Sequence, residues 1–213
     1  MARKETVEAV KKALADKPKR NFTESVDLAI NLKNIDLSQP KNRVDEEIIL
    51  PSGRGKPVKV CVFAKGDVAI NAEKAGADYV FPPEEIDKLG GDKVRAKKLA
   101  KEVNFFIAET AYMPAIGKKL GQVLGPRGKM PTPLPPQADV TNMVTRLKKA
   151  IKVRSKDRMT FHTIIGNETM QPEQIADNID AILNRIEGKL EKGKMNIGSV
   201  YVKTTMGPAV KVM

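Results

Sequence analysis

The chain is 213 residues long, with 41% hydrophobic and 30% charged residues, enough to bury a sizeable core as one large domain or two small ones. Its longest apolar runs, such as Val60-Cys61-Val62-Phe63-Ala64, fall far short of the ~20 residues of a membrane span, and residues 1–12 lack a signal-peptide core, so a cytoplasmic protein with no membrane partner is expected. Thirty-eight Lys and Arg against 26 Asp and Glu leave a net charge of +12, which points to a polyanion, nucleic acid before an acidic membrane; 4% aromatic content without Trp argues against a surface that stacks many unpaired bases.

Residues 3–15 place Val7, Val10 and Leu14 on one face, with Lys4, Glu8, Lys11 and Lys12 around the rest, which predicts an amphipathic helix ending over residues 16–20, where Pro18 stands. From Phe22 the even positions Phe22, Val26, Leu28, Ile30 and Leu32 are apolar while Ser25, Asp27 and Asn31 fall between them, as in a strand with one buried face. Phe22 follows Lys19-Arg20 at the strand's open end and reads either as the outermost core residue or as an exposed contact. Residues 35–43 read as a polar loop and 44–50 as a second strand. The Pro-Ser-Gly-Arg-Gly-Lys-Pro run at 51–57 is the best candidate hinge in the first half.

After residue 57 the pattern changes. Residues 58–63 are nearly continuously apolar, as in a strand covered on both faces, and predicted helices at 67–75, 83–89, 93–103 and 111–119 alternate with predicted strands at 77–81 and 105–108. Such alternation means βαβ units and a parallel sheet with helices on both sides. Residues 121–136 are too rich in Gly and Pro for regular structure. Gly125, Gly128, Arg127 and Lys129 there resemble a phosphate cradle, but the run does not open a helix directly after a strand and lacks the Lys-Ser/Thr pair of a P-loop.

Residues 139–150 read as a helix with Val140, Val144 and Leu147 on one face. Residues 151–154 and 159–165 read as a strand hairpin around Ser155-Lys156-Asp157-Arg158. A helix over 172–187, with Ile175, Ile179, Ile182 and Ile186 at helical spacing, begins at Thr169 or Gln171 with Pro172 in its first turn. A basic loop over 188–194 leads to the last strand, Ser-Val-Tyr-Val-Lys-Thr-Thr-Met-Gly-Pro at 199–208. There Gly207 admits a positive φ or a close approach and Pro208 ends pairing.

Catalytic chemistry finds little support. The only histidine, His162, lies in an alternating strand pattern, and the only cysteine, Cys61, in an apolar run. No disulfide, Cys/His metal cluster or catalytic pair can be assembled from them, so no cofactor, metal or catalytic residue is expected. The organisation is expected to be an α+β terminal domain built from both chain ends, residues 1–54 and 151–213, with an inserted three-layer, Rossmann-like α/β parallel-sheet domain at 55–150 and a hinge between the two. Lys and Arg exceed Asp and Glu by 2 over residues 1–54, by 7 over 55–150 and by 3 over 151–213. Charge alone would place a nucleic acid on the inserted domain.

The run at 199–208, the Leu-Gly-Pro-Arg-Gly-Lys-Met-Pro within 121–131, the Ala-Gly-Ala-Asp-Tyr-Val at 75–80 and the Phe-Thr-Glu-Ser at 22–25 closely resemble the ribosomal protein L-one family, in order and over essentially the whole chain. The short, basic form is similar to the archaeal branch. The resemblance implies a non-enzymatic constituent of the large ribosomal subunit at its mobile stalk, a monomer outside the ribosome, with large-subunit (23S) rRNA, exit-site tRNA and the leader or coding region of its own mRNA as partners, and translational repression as a second role. It implies RNA contacts at Phe22, Ser25, His162, Gly166, Ser199, Thr205, Met206 and Gly207, and secondary ones at Gly125, Arg127 and Lys129. The family often has Thr where this chain has Ser25, and a basic residue where it has Asn21. A nucleotide-dependent enzyme built on the parallel sheet is the alternative reading, and a general nucleic-acid chaperone a third.

Overall fold

The computed structural model describes residues 4–15, 20–135 and 138–213. The expected start of the first helix at residue 3, its expected end over 16–19 and the loop's last residue, 136, lie outside the described residues. In chain order the elements are α1 (Lys4–Ala15), β1 (Ser25–Leu32), β2 (Asp45–Ile49), β3 (Val60–Phe63), α2 (Asp67–Lys74), β4 (Tyr79–Phe81), α3 (Pro83–Gly91), α4 (Lys93–Glu102) and β5 (Phe105–Glu109). They continue with α5 (Met113–Leu124), β6 (Thr132–Leu134), α6 (Val140–Lys148), β7 (Ala150–Arg154), β8 (Thr160–Asn167), α7 (Pro172–Lys189), β9 (Ile197–Thr204) and β10 (Val210–Lys211). The chain forms two compact units, Met1–Lys56 with Lys149–Met213, and Pro57–Lys148.

The first unit is organised by an antiparallel sheet of order β10-β9-β1-β8. Strand alternation puts Val26, Leu28, Ile30 and Leu32 on one face, where they join Phe161, Ile165, Val200, Val202 and the α7 residues Ile175, Ile179, Ile182 and Ile186 in a single core. α1 packs on α7 and β9. Its buried face is Thr6, Ala9, Val10 and Ala13 rather than the expected Val7, Val10 and Leu14, because small side chains let the helix approach its neighbours closely; Val7 and Leu14 are half-buried. The other sheet face carries Asp27, Ala29, Asn31, His162, Ser199, Tyr201 and Lys203, all exposed or half-buried.

Two strand expectations are corrected in this unit. Residues 150–167 are not a hairpin: β7 pairs with β2 in its own two-stranded ribbon while β8 pairs with β1. The corner between them is held by Ser155, whose N–H donates to Val44 O at 2.9 Å and whose hydroxyl accepts the Val44 N–H at 3.0 Å, and it turns through Lys156 at φ 50°. Pairing does not end at Pro208, because β10 returns along β9 with Val210 opposite Val202. Of the two readings open for Phe22, the exposed one holds: it is 52% exposed and precedes β1. Within the expected hinge, Asn178 of α7 donates to Gly53 O and accepts from Ser52 N–H, and Asn167 donates to Gly55 O at 2.8 Å, so residues 52–55 are tied into this unit by side chains.

The second unit is a parallel sheet of order β4-β3-β5-β6. Cys61 and Phe63 of β3 and Phe106 and Ala108 of β5 share a core with Ile86 and Leu89 of α3, Ala96 and Ala100 of α4, and Ile116 and Leu120 of α5. Val60, Val62 and Ile107 are buried on the alternate face, and α2 and α6 pack together and against β3. Burial pushes the Cys61 thiol well above its ordinary range, which makes it an inert core residue. The glycine- and proline-rich run proves more regular than expected. Residues 121–124 complete the last turn of α5, and Thr132–Leu134 form β6, an edge strand where Pro133 needs no ladder donor.

Candidate nucleic-acid interface

The start of β1 and the ends of β8 and β9 meet at one end of the antiparallel sheet. Ser25 lies opposite Asn167, and Val26 is flanked by Gly166 on one side and Thr204 on the other. Beyond that register the chain at 204–207 leaves the ladder, and its polar groups are gathered by residues of the opposite chain end. Thr205 N–H donates to Ser25 O at 3.0 Å; the Thr205 hydroxyl donates to the same carbonyl and accepts from Ser25 N–H, both at 3.2 Å.

At the centre is Glu24, whose side chain is fully buried. Its Oε2 accepts the Met206 N–H at 3.1 Å, and Arg20 Nε lies 3.8 Å from Oε1. The backbone hydrogen bond from Met206 holds the carboxyl below the usual carboxylate range, against the upward push of burial; Thr204 and Arg20 add to the lowering. Neither Oε1 nor the buried Thr204 hydroxyl completes a hydrogen bond of good geometry, yet the hydroxyl lies near enough to favour the charged form. The Glu24 carbonyl meanwhile accepts from Glu168 N–H at 3.0 Å, so one residue joins all three strand ends.

This construction leaves two large apolar side chains facing outward. Phe22, two residues before Glu24, is 52% exposed, and Met206, whose backbone Glu24 holds, is 58% exposed. Beside them Lys56 Nζ donates to the Ser25 hydroxyl at 2.8 Å. A fixed frame that presents apolar arms, hydroxyls and a cation together suits a shallow RNA groove, with its riboses and phosphates, better than a deep small-molecule pocket. Asp27, next along the outer face, has its carboxyl pushed upward by burial, against the pull of Lys203, His162 and Lys56.

The structure brings Phe22, Ser25, Thr205, Met206 and Gly207 together, with Gly166 buried at the same strand end, and separates His162 and Ser199. Gly166 is buried, and a Cβ there would meet Met170 Sδ at 3.1 Å and Ile175 Cγ1 at 3.3 Å, so its smallness serves packing. Gly207 is outside the left-handed region; a Cβ would fall 2.3 Å from Thr204 Oγ1, so close approach is the reason for glycine. His162 and Ser199 lie opposite Ala29 and Asn31, about 13 and 20 Å along β1 from Ser25 at strand rise. They belong to the open sheet face rather than to the strand-end cluster. Glu24, Lys56 and Asn167 were missed as site residues. Glu24 carried a signal: it is in phase with Val26 and Leu28, which puts an acid on the buried face.

In residues 125–131 the two cations are turned to backbone carbonyls. Lys129 Nζ donates to Ala100 O at 2.9 Å and Val103 O at 2.6 Å at the C-terminus of α4, and Arg127 Nη1 donates to Val123 O at 2.9 Å. A Cβ on Gly125 would meet Gly121 O at 2.7 Å, so that glycine serves the close of α5. The cations satisfy carbonyls that helix ends leave open. Among the described residues, no group of three or more His, Cys, Asp or Glu could hold a metal ion, and no helix is long and apolar enough to cross a membrane.

The chain is 81% identical, over the full length of both, to the large ribosomal subunit protein uL1 of Methanocella arvoryzae. It is 59% identical to uL1 of Methanothrix thermoacetophila over 97% of each chain, and 57% identical to uL1 of Methanosarcina acetivorans over all of both. The ribosomal protein L1p/L10e family matches residues 10–208, and the chain belongs to that family, in its archaeal form.

Proposed function

We propose that this chain binds large-subunit rRNA through the strand-end cluster of its first unit, as a structural and non-enzymatic component of the large ribosomal subunit in the cytoplasm. Membership of the family supports the ribosomal role. The observation that carries the site is the buried Glu24 carboxylate, which fixes the 204–207 turn and leaves Phe22 and Met206 exposed. A buried charge is costly unless it is held by hydrogen bonds. Here it orders the backbone of an exposed turn.

In this reading residues 1–54 and 151–213 form the RNA-binding domain, and residues 55–150 ride on it as an inserted body with residues 51–57 as one of two crossings. Motion of that body assists release of tRNA from the exit site. The same cluster takes a mimic of the rRNA site in the chain's own mRNA, which represses translation when the protein is in excess. The expected contacts are Phe22, Ser25, Met206 and Gly207 directly, Thr205 through the remaining lone pair of its hydroxyl, and His162 and Ser199 from the sheet face. Gly166 supports the site by packing.

Competition measures this reading. The full chain is titrated with a large-subunit rRNA fragment in the presence of unlabelled leader RNA from its own messenger. Mutual displacement, with both affinities reduced by Met206→Ala, is expected. Independent binding of the two RNAs would remove the repression mechanism, and an unchanged rRNA affinity for Met206→Ala would move the site elsewhere.

A further inference from the structure

α4 is polarised by charge more than by hydropathy. Its inner side is small, with Ala96 and Ala100 buried and Leu99 half-buried. The opposite side carries Lys93, Val94, Lys97, Lys98 and Lys101, all exposed, with Val94 at 66%. At about 100° per residue, Lys97, Lys101, Val94 and Lys98 fill a continuous arc of roughly 100° with no acid in it. Lys93 adjoins the arc, and the other two charged residues of the helix are already engaged. Arg95 pairs with Glu85 at 3.2 Å, and Glu102 Oε2 accepts the Tyr79 hydroxyl at 3.1 Å. Among the described residues, none of the four lysines forms an ion pair.

Like charges four residues apart, as in Lys93/Lys97 and Lys97/Lys101, weaken a helix. This one is held at both ends by other means. Asp92 Oδ1 accepts the Val94 and Arg95 N–H groups at 2.9 and 3.0 Å, and Lys129 covers the Ala100 and Val103 carbonyls. The loop that looked like a phosphate cradle thus anchors the helix that presents unpaired cations. We propose that this face of α4 is a second nucleic-acid site, independent of sequence, which takes the phosphate backbone of an RNA duplex.

The geometry suits that occupant. Lys93, Lys97 and Lys101 step along the helix by about 6 Å each, and over the resulting span of about 12 Å a duplex presents about seven phosphate charges. Lysine ammonium groups on flexible stems meet phosphates as point charges, without the fork geometry that a base edge demands. Val94, between them, faces riboses rather than charge. The proposal goes beyond the strand-end reading and stands or falls separately from it.

The test uses the full chain and a 24-base-pair RNA duplex of arbitrary sequence, titrated across salt. The triple variant Lys97→Gln, Lys98→Gln, Lys101→Gln is compared with Lys65→Gln, Lys74→Gln, Arg146→Gln, which removes the same charge from other exposed positions of the same unit. Gln keeps helix propensity, and equal melting temperatures of the three proteins check the fold. The α4 variant is expected to lower the slope of log affinity against log salt by about 2.7, as loss of three phosphate contacts on a duplex requires, while the control changes it by less than half as much. Equal changes in both variants would show diffuse charge and overturn the proposal. Retained duplex binding by the α4 variant, with lost binding to polyglutamate, would overturn it too, by assigning the face to an acidic protein. Affinity for the rRNA fragment at high salt reports the strand-end cluster separately.

Discussion

Residues 125–131 offer two glycines and two cations; residues 204–207 offer two threonines, a methionine and a glycine. By composition the first is the better phosphate binder, yet its Lys129 and Arg127 are spent on helix carbonyls of their own unit. The second has no charge of its own but is held by a buried carboxylate from 182 residues earlier, with an exposed methionine as the result. What distinguishes a binding turn here is which groups remain uncommitted once the turn is built. In the proposed reading, exposed side chains on a fixed turn count for more than cations already bound to carbonyls.

Breaking the frame is expected to have the largest effect. Glu24→Gln leaves the Met206 N–H with a weaker acceptor, and rRNA affinity should fall roughly ten- to a hundredfold, the range implied when a buried hydrogen-bonding group loses its partner. The same residue predicts a pH effect of definite sign. Its folded-state pKa is depressed below the ordinary 4.5, so the stability it contributes is complete above that value and is lost as pH falls through the depressed one. Thermal melting from pH 7 downward should show a decline below about 4.5 that is smaller in Glu24→Gln. Parallel curves for the two proteins would mean that Glu24 carries no charge-linked stability.

Removing the exposed arms tests the surface without the frame. Phe22→Ala should cost about 1–3 kcal/mol of rRNA binding, the range for loss of one stacked or packed base, and Met206→Ala about 1 kcal/mol, in line with a truncated interface residue. Because both side chains are more than half exposed, melting temperatures should hardly move. A large drop in melting temperature for either would return that residue to the core.

Much of this architecture was legible in the sequence because its signals were local. Alternation in residues 26–32 and 200–204, isoleucines at helical spacing in α7, and strands alternating with helices in the second unit each report burial of one face within a short window. The misread parts depend on distant partners. Whether 150–154 pairs with 160–167 or with 45–49 is decided by the Ser155–Val44 corner, about 110 residues apart, and β6 exists only because β5 lies beside it. At the candidate site, Phe22 and Gly207 drew notice from their pattern, but the set Phe22, Ser25, Thr205, Met206 and Gly207 came from resemblance. Glu24 was in view as an acid in phase with a buried face but could not be read as a hub without its partner at 206.

The second unit gives the converse experiment. Lys129→Met keeps the stem but removes the ammonium from two carbonyls at the end of α4. It should lower the stability of this unit by about 1–2 kcal/mol, typical of hydrogen bonds from a charged donor, with rRNA affinity at high salt unchanged. Loss of specific affinity without loss of stability would restore the loop as a direct contact.

Smaller effects are expected where a hydroxyl is shared with water. Thr205→Val removes both hydrogen bonds of Oγ1 to the Ser25 backbone while keeping the β-branched shape. The backbone bond from Thr205 N–H to Ser25 O survives. A fall of about 0.5–1 kcal/mol in stability is expected, with a parallel loss of affinity as the turn loosens. An affinity loss alone would mean that the hydroxyl's free lone pair meets RNA directly.

The smallest change expected is at Ser25 itself. Its backbone N–H and carbonyl hold Thr205, and neither depends on the side chain. Its hydroxyl accepts from Lys56 at 2.8 Å at an exposed position, and threonine supplies the same hydroxyl with one added methyl on a strand, where β-branching is favoured. Ser25→Thr should therefore alter both melting and rRNA affinity by less than about 0.5 kcal/mol, as surface substitutions outside special features do. Ser25→Ala, which removes the acceptor, should cost slightly more and mainly at low salt, because it frees the Lys56 ammonium from a fixed position rather than deleting it. If threonine instead weakened binding well beyond that, with melting unchanged, the methyl would have to be meeting RNA at a surface with no room for it. Ser25 would then be a point of closest approach, and the contact would extend from the 204–207 turn onto β1.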